Sequence, residues 1–445
     1  MCGIFGYVGK GSAYNAVLAG LHKLEYRGYD SCGICVRSGK GFDNTKVIGS
    51  TEKLPVNKNK STIGIGHTRW ATHGNVSVLN AHPHASSCNS IILVHNGVIE
   101  NSDTFKEQMT GLKSDTDSEV LANLIASHYM GDLDKAVEVA LKEVRGSYGI
   151  AVMHIDHPNT IICAKRGSPI CLGIDTDEIC VASDASALPI SIDKVVYLDD
   201  NQIATITGNK FIVKDSDKII NPEINKLTMN RSSSSFEGYS CFLEKEIHEQ
   251  AAALESAMRG RFSKDGTYVK FGGIKIPKKV RRVVFLGCGT AYHAGIVGKY
   301  YMENIANLPA TVEYSSEFKY KNNPIDSNTL VIAISQSGET ADTLNAITEA
   351  QNRDAMVISI TNTVASTIAR MTGNGIYQYA GPETSVASTK AYTSQICILA
   401  MLSIMLGRKN GLSQLQASRL IKKLKTLPKL VNETIKMTND NVQRL

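Results

Sequence analysis

The chain opens Met1-Cys2-Gly3-Ile4-Phe5-Gly6-Tyr7-Val8-Gly9-Lys10, and the reading of these ten residues decides the fold. Removal of Met1 leaves Cys2 with a thiol and a free α-amino group on one residue. An α-amino group titrates near pH ~8, far closer to neutrality than a lysine. A thiol beside such an amine is a nucleophile with a built-in base. The same residues also read as an ordinary edge strand of Ile4, Phe5, Tyr7 and Val8 with a small residue at position 2. The rest of the chain decides between the two.

Composition narrows the class. With 445 residues, there is room for several domains of about 150 residues each. Hydrophobic residues make up 42% and charged residues 20%, as in globular proteins with substantial cores. The net charge of +6 is spread along the chain, and no basic stripe is interleaved with aromatics, so nucleic acid is not an expected partner. Lys422, Lys423 and Lys425 alternate with leucines and read as the wet face of a helix. No basic region and apolar core of a signal peptide follow Cys2. The longest apolar run, 396–406, is too short to span a bilayer and contains Ser403. Ten scattered cysteines without framework spacing point to free thiols in a reducing, cytoplasmic setting, with no membrane partner. Cys32-Gly33-Ile34-Cys35 has redox or zinc spacing, but it lacks a second pair and reads as strand packing.

Alternation over the first 230 residues predicts strands at 4–8, 33–37, 63–67, 91–95, 149–155, 160–165, 179–182, 195–198, 202–207 and 210–214. Helical periodicity appears at 12–24, 118–129 and 133–144, with Ser12 as an N-cap and acids at the start of the second helix. Strands outnumber helices, which suits stacked sheets covered by helices.

Four stretches between these elements carry chemistry. Gly66-His67-Thr68-Arg69-Trp70-Ala71-Thr72-His73-Gly74 packs an Arg, two His, two Thr and the only Trp into nine residues after a strand. Asn80-Ala81-His82-Pro83-His84 has a His-x-His pair without an acidic or cysteine partner at ligand spacing, so it reads as structural rather than metal-binding. Asn96-Gly97 is normally a hairpin turn. It also offers a side-chain amide and a backbone N–H together, as an oxyanion hole needs. Ser114-Asp115-Thr116-Asp117-Ser118-Glu119 has more acids than helix capping requires.

These stretches, with Cys2-Gly3-Ile4-Phe5-Gly6 and Glu25-Tyr26-Arg27-Gly28-Tyr29-Asp30-Ser31, resemble the class II (N-terminal nucleophile) glutamine amidotransferase domain. More closely, they resemble the glutamine–fructose-6-phosphate aminotransferase family, and the resemblance runs from Cys2 to near Thr207. It implies that Cys2 attacks the glutamine carboxamide and that Asn96 and Gly97 hold the oxyanion. It further implies that Arg69, Trp70, Thr72, His73 and Asp117 form the glutamine pocket, Arg69 on the α-carboxylate and Asp117 on the α-ammonium. An asparagine synthetase would need a Ser-Gly-Gly pyrophosphatase motif, and a phosphoribosyl amidotransferase an acidic pair after an apolar strand. The chain has neither.

A serine-rich run at 230–237 reads as a linker, and a helix from Phe242 to about Arg259 follows it, expected without a break because no proline follows Gln250. From residue 281 the pattern changes to apolar strands at 282–286, 310–314, 329–334, 355–360 and 375–379, with helices at 292–306, 341–351, 364–371 and 386–406. That alternation predicts a parallel sheet covered on both faces, with ligands at the carboxyl ends of the strands. Gly287-Cys288-Gly289-Thr290-Ala291-Tyr292 starts like a dinucleotide fingerprint, but Tyr292 stands where the third glycine belongs, so NAD is not expected. Ser335-Gln336-Ser337-Gly338-Glu339-Thr340 and Thr384-Ser385-Val386-Ala387-Ser388-Thr389-Lys390 place hydroxyls and N–H groups at helix starts, where phosphate or sugar oxygens bind.

This segment resembles a sugar-isomerase (SIS) domain, and the resemblance implies that Thr290, Ser335, Gln336, Ser337, Thr340, Val386 and Ser388 hold D-fructose 6-phosphate. Ala291 departs from the family's frequent serine. The expected architecture is an α+β N-terminal nucleophile (αββα) domain at 2–229, a linker and connecting helix at 230–280, an α/β three-layer parallel-sheet SIS domain at 281–425, and the start of a further linker at 426–445. The family carries a second SIS lobe and a C-terminal tail, and nothing after Thr426 resembles them. A fragment, a separately encoded partner half, or a chain without synthase activity all fit that observation. The implied reaction takes L-glutamine and D-fructose 6-phosphate, with no metal and no redox cofactor, in a homodimer or higher homo-oligomer.

Overall fold

A computed structural model describes residues 2–57, 59–70, 75–227, 238–364 and 366–442, apart from the side chains of 439–441. The chain divides into two compact units, Met1–Ser232 and Ser233–Leu445.

The first unit holds two antiparallel sheets. One runs in the order Asn225–Lys226, Lys194–Tyr197, Cys171–Ile174, Glu178–Ala182, Gly3–Gly9, Ile63–Arg69, Ser31–Ser38, Gly41–Ile48. The other runs Lys218–Ile220, Lys210–Asp215, Gln202–Thr207, Thr160–Arg166, Gly146–His154, Ile91–Ile99, His84–Ala85. Side chains alternate across a strand, so each strand presents one row to each face. Ile4, Val8, Ile63 and Ile65 from the first sheet meet Ile92, Val94, Ala151 and Met153 from the second in one buried core. The opposite rows face helices. Phe5, Tyr7, Ile34 and Val36 pack on Val17, Leu21 and Leu24 of the helix Ala13–Leu24. Ile91, Leu93, Ile150 and Val152 pack on the helices Asp117–Ser127 and Leu133–Glu143. The layering is helix, sheet, sheet, helix, the αββα arrangement expected from the sequence.

Two local expectations change. His95-Asn96-Gly97 is not a turn, because the strand continues from Ile91 to Ile99 and pairs with Gly146–His154 throughout. Gly97 sits inside it at φ +136°, a conformation that the glycine accommodates without ending the pairing. His67-Thr68-Arg69 likewise belongs to a strand, Ile63–Arg69, rather than to the loop after it. The Cys32/Cys35 pair lies in a strand, and all ten cysteines are free thiols.

The second unit is built on a five-stranded parallel sheet in the order Ala310–Tyr314, Arg282–Gly287, Thr329–Ser335, Met356–Thr361, Gly375–Tyr377. Val283, Phe285, Ile332 and Ile358 face Leu254, Met302, Leu399 and Leu402 on one side. Val284, Leu286, Val331 and Val357 face Phe318, Ala346, Ile347 and Ile368 on the other. This is the three-layer α/β arrangement that strand–helix alternation predicts. The expected unbroken helix after Phe242 is instead two segments, Phe242–His248 and Gln250–Met258. Side chains compete for the backbone there: His248 Nδ1 lies 2.9 Å from Glu244 O, and Gln250 Nε2 donates to Ile247 O at 2.9 Å. The helix expected from residue 386 begins at Lys390. It runs to Gly407 and is long and apolar enough to cross a membrane by length and composition, but 78% of that stretch is buried, much of it against the parallel sheet. A single helix, Gln414–Val442, runs through the boundary expected at 425–426. The linker expected at 230–237 lies outside the described residues.

Candidate active site

The site in the first unit grows from the inner rows of three strands. Alternation that points Ile4 and Val8 into the space between the sheets also points Cys2 there. The row Ile63, Ile65 continues into His67 and Arg69, and the row Ile92, Val94 continues into Asn96. Each row is apolar in the core and becomes polar at the strand end.

Cys2 is half-buried, and its Sγ accepts a hydrogen bond from Trp70 N–H at 3.2 Å. Burial raises the thiol pKa, opposed by that N–H and by the charges of Arg69 and Arg27. At neutral pH the group is therefore a thiol that needs a base. Asn96, 7% exposed, donates from Nδ2 to Cys2 O at 2.9 Å, and its Oδ1 lies 2.9 Å from His67 Nε2. At Gly97 any Cβ would meet Ser147 O at 2.1 Å.

Arg69 is buried, which lowers its pKa, while Cys2, Asp30 and Asp117 act on it electrostatically in the other direction. A nucleophile, a cation and an anion thus share one electrostatic environment. Asp117 opens the helix Asp117–Ser127, and its Oδ2 accepts from Ile99 N at 2.8 Å, fixing it at the end of the Asn96 strand. The other acids have separate work. Glu119 accepts from Lys113 N, Ser114 N and Ser114 Oγ, while Asp115 Oδ2 accepts from Asn80 Nδ2 at 3.2 Å.

In the second unit, the strand Thr329–Ser335 ends in a tight turn. Ser335 Oγ accepts from Gly338 N at 3.0 Å and lies 3.0 Å from Thr340 Oγ1, and Ser337 Oγ accepts from Glu339 N at 3.1 Å. Gly338 has φ +69°, and a Cβ there would lie 2.0 Å from Ser366 Oγ. Thr340 stands at the N-cap of the helix Ala341–Asn352. Gln336 O accepts from Asn362 N at 2.9 Å, and the Asn362 side chain binds Ala380 N and Gly381 O. Through Asn362 the turn reaches the segment that leads into Val386 and Ser388. Thr290 opens the helix Thr290–Ala306 after the neighbouring strand Arg282–Gly287, at the same carboxyl edge.

A family model described as "Glutamine amidotransferase domain" matches residues 51–237, and one described as "SIS domain" matches residues 278–405. Over 466 residues the chain is 41% identical to the glutamine–fructose-6-phosphate aminotransferase (isomerizing) of Bacteroides thetaiotaomicron, covering 100% of this chain and 75% of that protein. The chain belongs to the glutamine–fructose-6-phosphate aminotransferase family. A Thermus thermophilus aminotransferase of the same name is 40% identical, covering 98% of this chain and 74% of that protein. The solved C-terminal domain of glucosamine-fructose-6-phosphate aminotransferase from Francisella tularensis is 32% identical over 47% of this chain and 59% of that chain, with a TM-score of 0.45.

In this aminotransferase-family chain, the structure brings Cys2, Arg69, Trp70, Asn96, Gly97 and Asp117 to one end of the first unit's sheets. Thr72 and His73 lie outside the described residues. In the second unit Ser335, Gln336, Ser337 and Thr340 form one turn. Val386 is 65% exposed, and Ser388 donates to Glu383 Oε2 at 2.9 Å rather than capping a helix itself. Ala291, where the family often has serine, sits in the apolar core. The histidines of Asn80-Ala81-His82-Pro83-His84 are buried beside His67, with ring centroids 4.1 Å apart for His67–His82 and 4.5 Å for His82–His84. Among the described residues no group of three His, Cys, Asp or Glu is arranged to hold a metal.

Sequence reasoning gave no role to Gly28 or to His67. A Cβ on Gly28 would lie 2.5 Å from Arg69 C and 2.7 Å from Trp70 N, so the glycine lets the pocket backbone close on it. Tyr29 stacks edge-on against Trp70 at 5.3 Å, and Arg27 forms a buried ion pair with Asp184 at 3.3 Å. The only signal for these was the run Glu25–Ser31 itself, whose contacts to Trp70 and Asp184 are tertiary.

Proposed function

We propose that the chain hydrolyses L-glutamine at Cys2 and passes the ammonia to D-fructose 6-phosphate, giving L-glutamate and D-glucosamine 6-phosphate. The observation that carries this reading is the hydrogen bond from Asn96 Nδ2 to Cys2 O at 2.9 Å, which sets an amide donor against the residue that carries the thiol.

With Met1 removed, the Cys2 amine takes the thiol proton as Sγ attacks the glutamine side-chain carbonyl. The raised thiol pKa makes that base necessary. The tetrahedral oxyanion takes hydrogen bonds from Asn96 Nδ2 and the Gly97 N–H. Collapse breaks the C–N bond, the Cys2 ammonium protonates the leaving amide nitrogen, and ammonia departs from a γ-glutamyl thioester. Water then hydrolyses the thioester, releasing glutamate and the thiol. Arg69 pairs with the substrate α-carboxylate and Asp117 with its α-ammonium, which selects a free amino acid over a glutamine within a chain. Trp70, Thr72 and His73 complete the glutamine pocket.

In the second unit, the Ser335–Thr340 turn takes the sugar phosphate, with Thr290, Val386 and Ser388 closing around the sugar. Hydroxyls and N–H groups at the start of a helix support that assignment. The working enzyme is cytoplasmic and a homodimer or higher homo-oligomer. The glutaminase occupies 2–229, a linker and connecting helix 230–280, and the sugar module 281–425. The test is glutamine hydrolysis with and without D-fructose 6-phosphate, scoring glutamate and glucosamine 6-phosphate separately. Both products are expected. Glutamate without the amino sugar refutes synthase activity for this chain alone, and neither product refutes the whole reading.

A further inference from the structure

We infer that His67 is a positioning residue for the glutaminase step, fixing which way the Asn96 amide points. This rests on the reading of Cys2 as nucleophile and Asn96 as oxyanion donor. The chemistry of the contacts admits one assignment. Cys2 O only accepts, so the Asn96 atom 2.9 Å from it is the amide nitrogen. The other amide atom is then Oδ1, also acceptor-only, and it lies 2.9 Å from His67 Nε2. His67 Nε2 must carry the hydrogen. His95 O, 3.1 Å from the same nitrogen, is a second acceptor and agrees. His67 is therefore the neutral Nε2–H tautomer, and its buried Nδ1 has no hydrogen-bond partner among the described residues.

The surroundings keep it so. His67 is fully buried, with the His82 ring 4.1 Å away, and burial pushes its pKa down to about 3. His95 and Arg69 also disfavour a positive charge there. The donor pattern thus does not change across the neutral range. The strand that carries Arg69 toward the substrate also carries His67, two residues earlier on the same face, against Asn96. Without the Nε2–H only the contact to Cys2 O still distinguishes the two ends of the amide, and Oδ1 is left buried without its donor. Rotation by half a turn then presents Oδ1, a lone pair, to the developing oxyanion.

The oxyanion exists only at and around the transition state, so the loss falls on kcat and not on glutamine binding. The experiment measures steady-state glutamine hydrolysis by the full chain, lacking Met1, as wild type, His67→Leu and His67→Gln. Glutamine keeps an N–H donor and leucine does not. Cys2 alkylation by iodoacetamide is followed in parallel to report an assembled pocket. His67→Leu is expected to lower kcat by about 10²-fold, the scale of losing one oxyanion donor. KM for glutamine and the alkylation rate are expected to stay within about twofold, because the interaction is confined to the transition state. His67→Gln is expected to recover a large part of the lost kcat. Should the leucine variant fail to fold by circular dichroism, His67→Met, also without a donor, takes its place. Unchanged kcat in a folded donor-less variant, or equal losses in the donor-less and Gln variants, overturns the inference. Absence of glutamate release by the wild type instead overturns the reading on which it rests.

Discussion

The side-chain nitrogen of Asn96 lies 2.9 Å from the carbonyl oxygen of Cys2, although Cys2 directly precedes a strand of one sheet, Asn96 lies in a strand of the other, and the two stand 94 positions apart. Their meeting follows from strand alternation, because the apolar inner rows that form the core end in these two residues. Asn96→Ala is expected to lower kcat for glutamine hydrolysis by about 10²–10³, or roughly 3–4 kcal/mol of transition-state stabilisation. KM for glutamine changes little, since the ground-state carbonyl does not depend on that donor. Steady-state kinetics on the single variant check both.

Gly97→Ala tests the strand in which Asn96 sits. At φ +136° an L-residue is strained, and its Cβ would meet Ser147 O at 2.1 Å. The expected loss is more than about 2 kcal/mol of stability, together with most activity. Gly39→Ala is the control, because Gly39 also has a positive φ but nothing lies within 4 Å of its Cβ position. That variant loses about 1 kcal/mol from backbone strain and keeps full activity. Denaturant midpoints and turnover on both variants separate strain from collision.

Gly28→Ala pushes on Arg69 and Trp70, whose backbone lies 2.5–2.7 Å from the added carbon. On the proposed role of Arg69, displacing it weakens the grip on the substrate α-carboxylate. The expected result is a rise of about tenfold or more in KM for glutamine, consistent with loss of a charge-assisted contact. Unchanged KM in a folded Gly28→Ala would show that the pocket tolerates the shift.

His67, His82, His84 and His95 are all buried, and burial lowers the pKa of each. The sign follows directly. Below an unfolded-state pKa of about 6.5 the unfolded chain takes up protons that the folded chain refuses, so stability is present above that pH and is lost as pH falls. Each such histidine costs on the order of 1 kcal/mol per pH unit while only the unfolded form titrates. Urea titrations of the full chain between pH ~7.5 and ~5.5, spanning that unfolded-state pKa, should show the midpoint dropping on acidification. Both ring nitrogens of His82 lack a hydrogen-bond partner among the described residues, and replacing it by Gln should make the drop shallower.

Glu246 holds the segment before Ser388. Its carboxylate accepts from Thr384 N at 2.5 Å, from Ser385 N at 3.2 Å and from Ser385 Oγ, while Lys390 pairs with Glu249 at 2.5 Å. Glu246→Ala should weaken D-fructose 6-phosphate binding by about tenfold, the equivalent of ~1.4 kcal/mol. It should leave glutamine hydrolysis in the absence of sugar unchanged. Calorimetric titration with the sugar phosphate and a glutamate assay measure the two effects.

The sequence carried the architecture where alternation is strong. Ile4 to Val8 and Ile91 to Val94 have apolar rows on both faces, so their strands were plain. The strand Gly41–Ile48 was not, because it lies at a sheet edge with half-exposed, mostly polar residues that lack a clear period. Asn96-Gly97 misled as a turn, since the dipeptide's local preference competes with strand pairing through Ile99 and the pairing wins. The hydroxyls of 384–389 pointed to a helix start, but Glu246 and Glu383 bind the N–H groups of Thr384, Ser385, Thr389 and Ala391, and the helix begins only at Lys390. Cys2, Arg69, Asn96 and Asp117 stood out as candidates because they lie in the motifs that carry the resemblance, and the structure brings them to one end of the sheets. The close packing of Gly28 on Arg69 and Trp70 and the contacts of His67 with His95 and Asn96 were not legible, because they join residues far apart in the chain.

The most direct test is the mass of the N-terminal peptide after the chain is mixed with L-glutamine and quenched in acid. The account predicts a peptide that begins at Cys2, lacks Met1, carries a γ-glutamyl adduct on the Cys2 sulfur, and shows no adduct in Cys2→Ala. Retention of Met1 in an active chain, or glutamate release that survives Cys2→Ala, would contradict it.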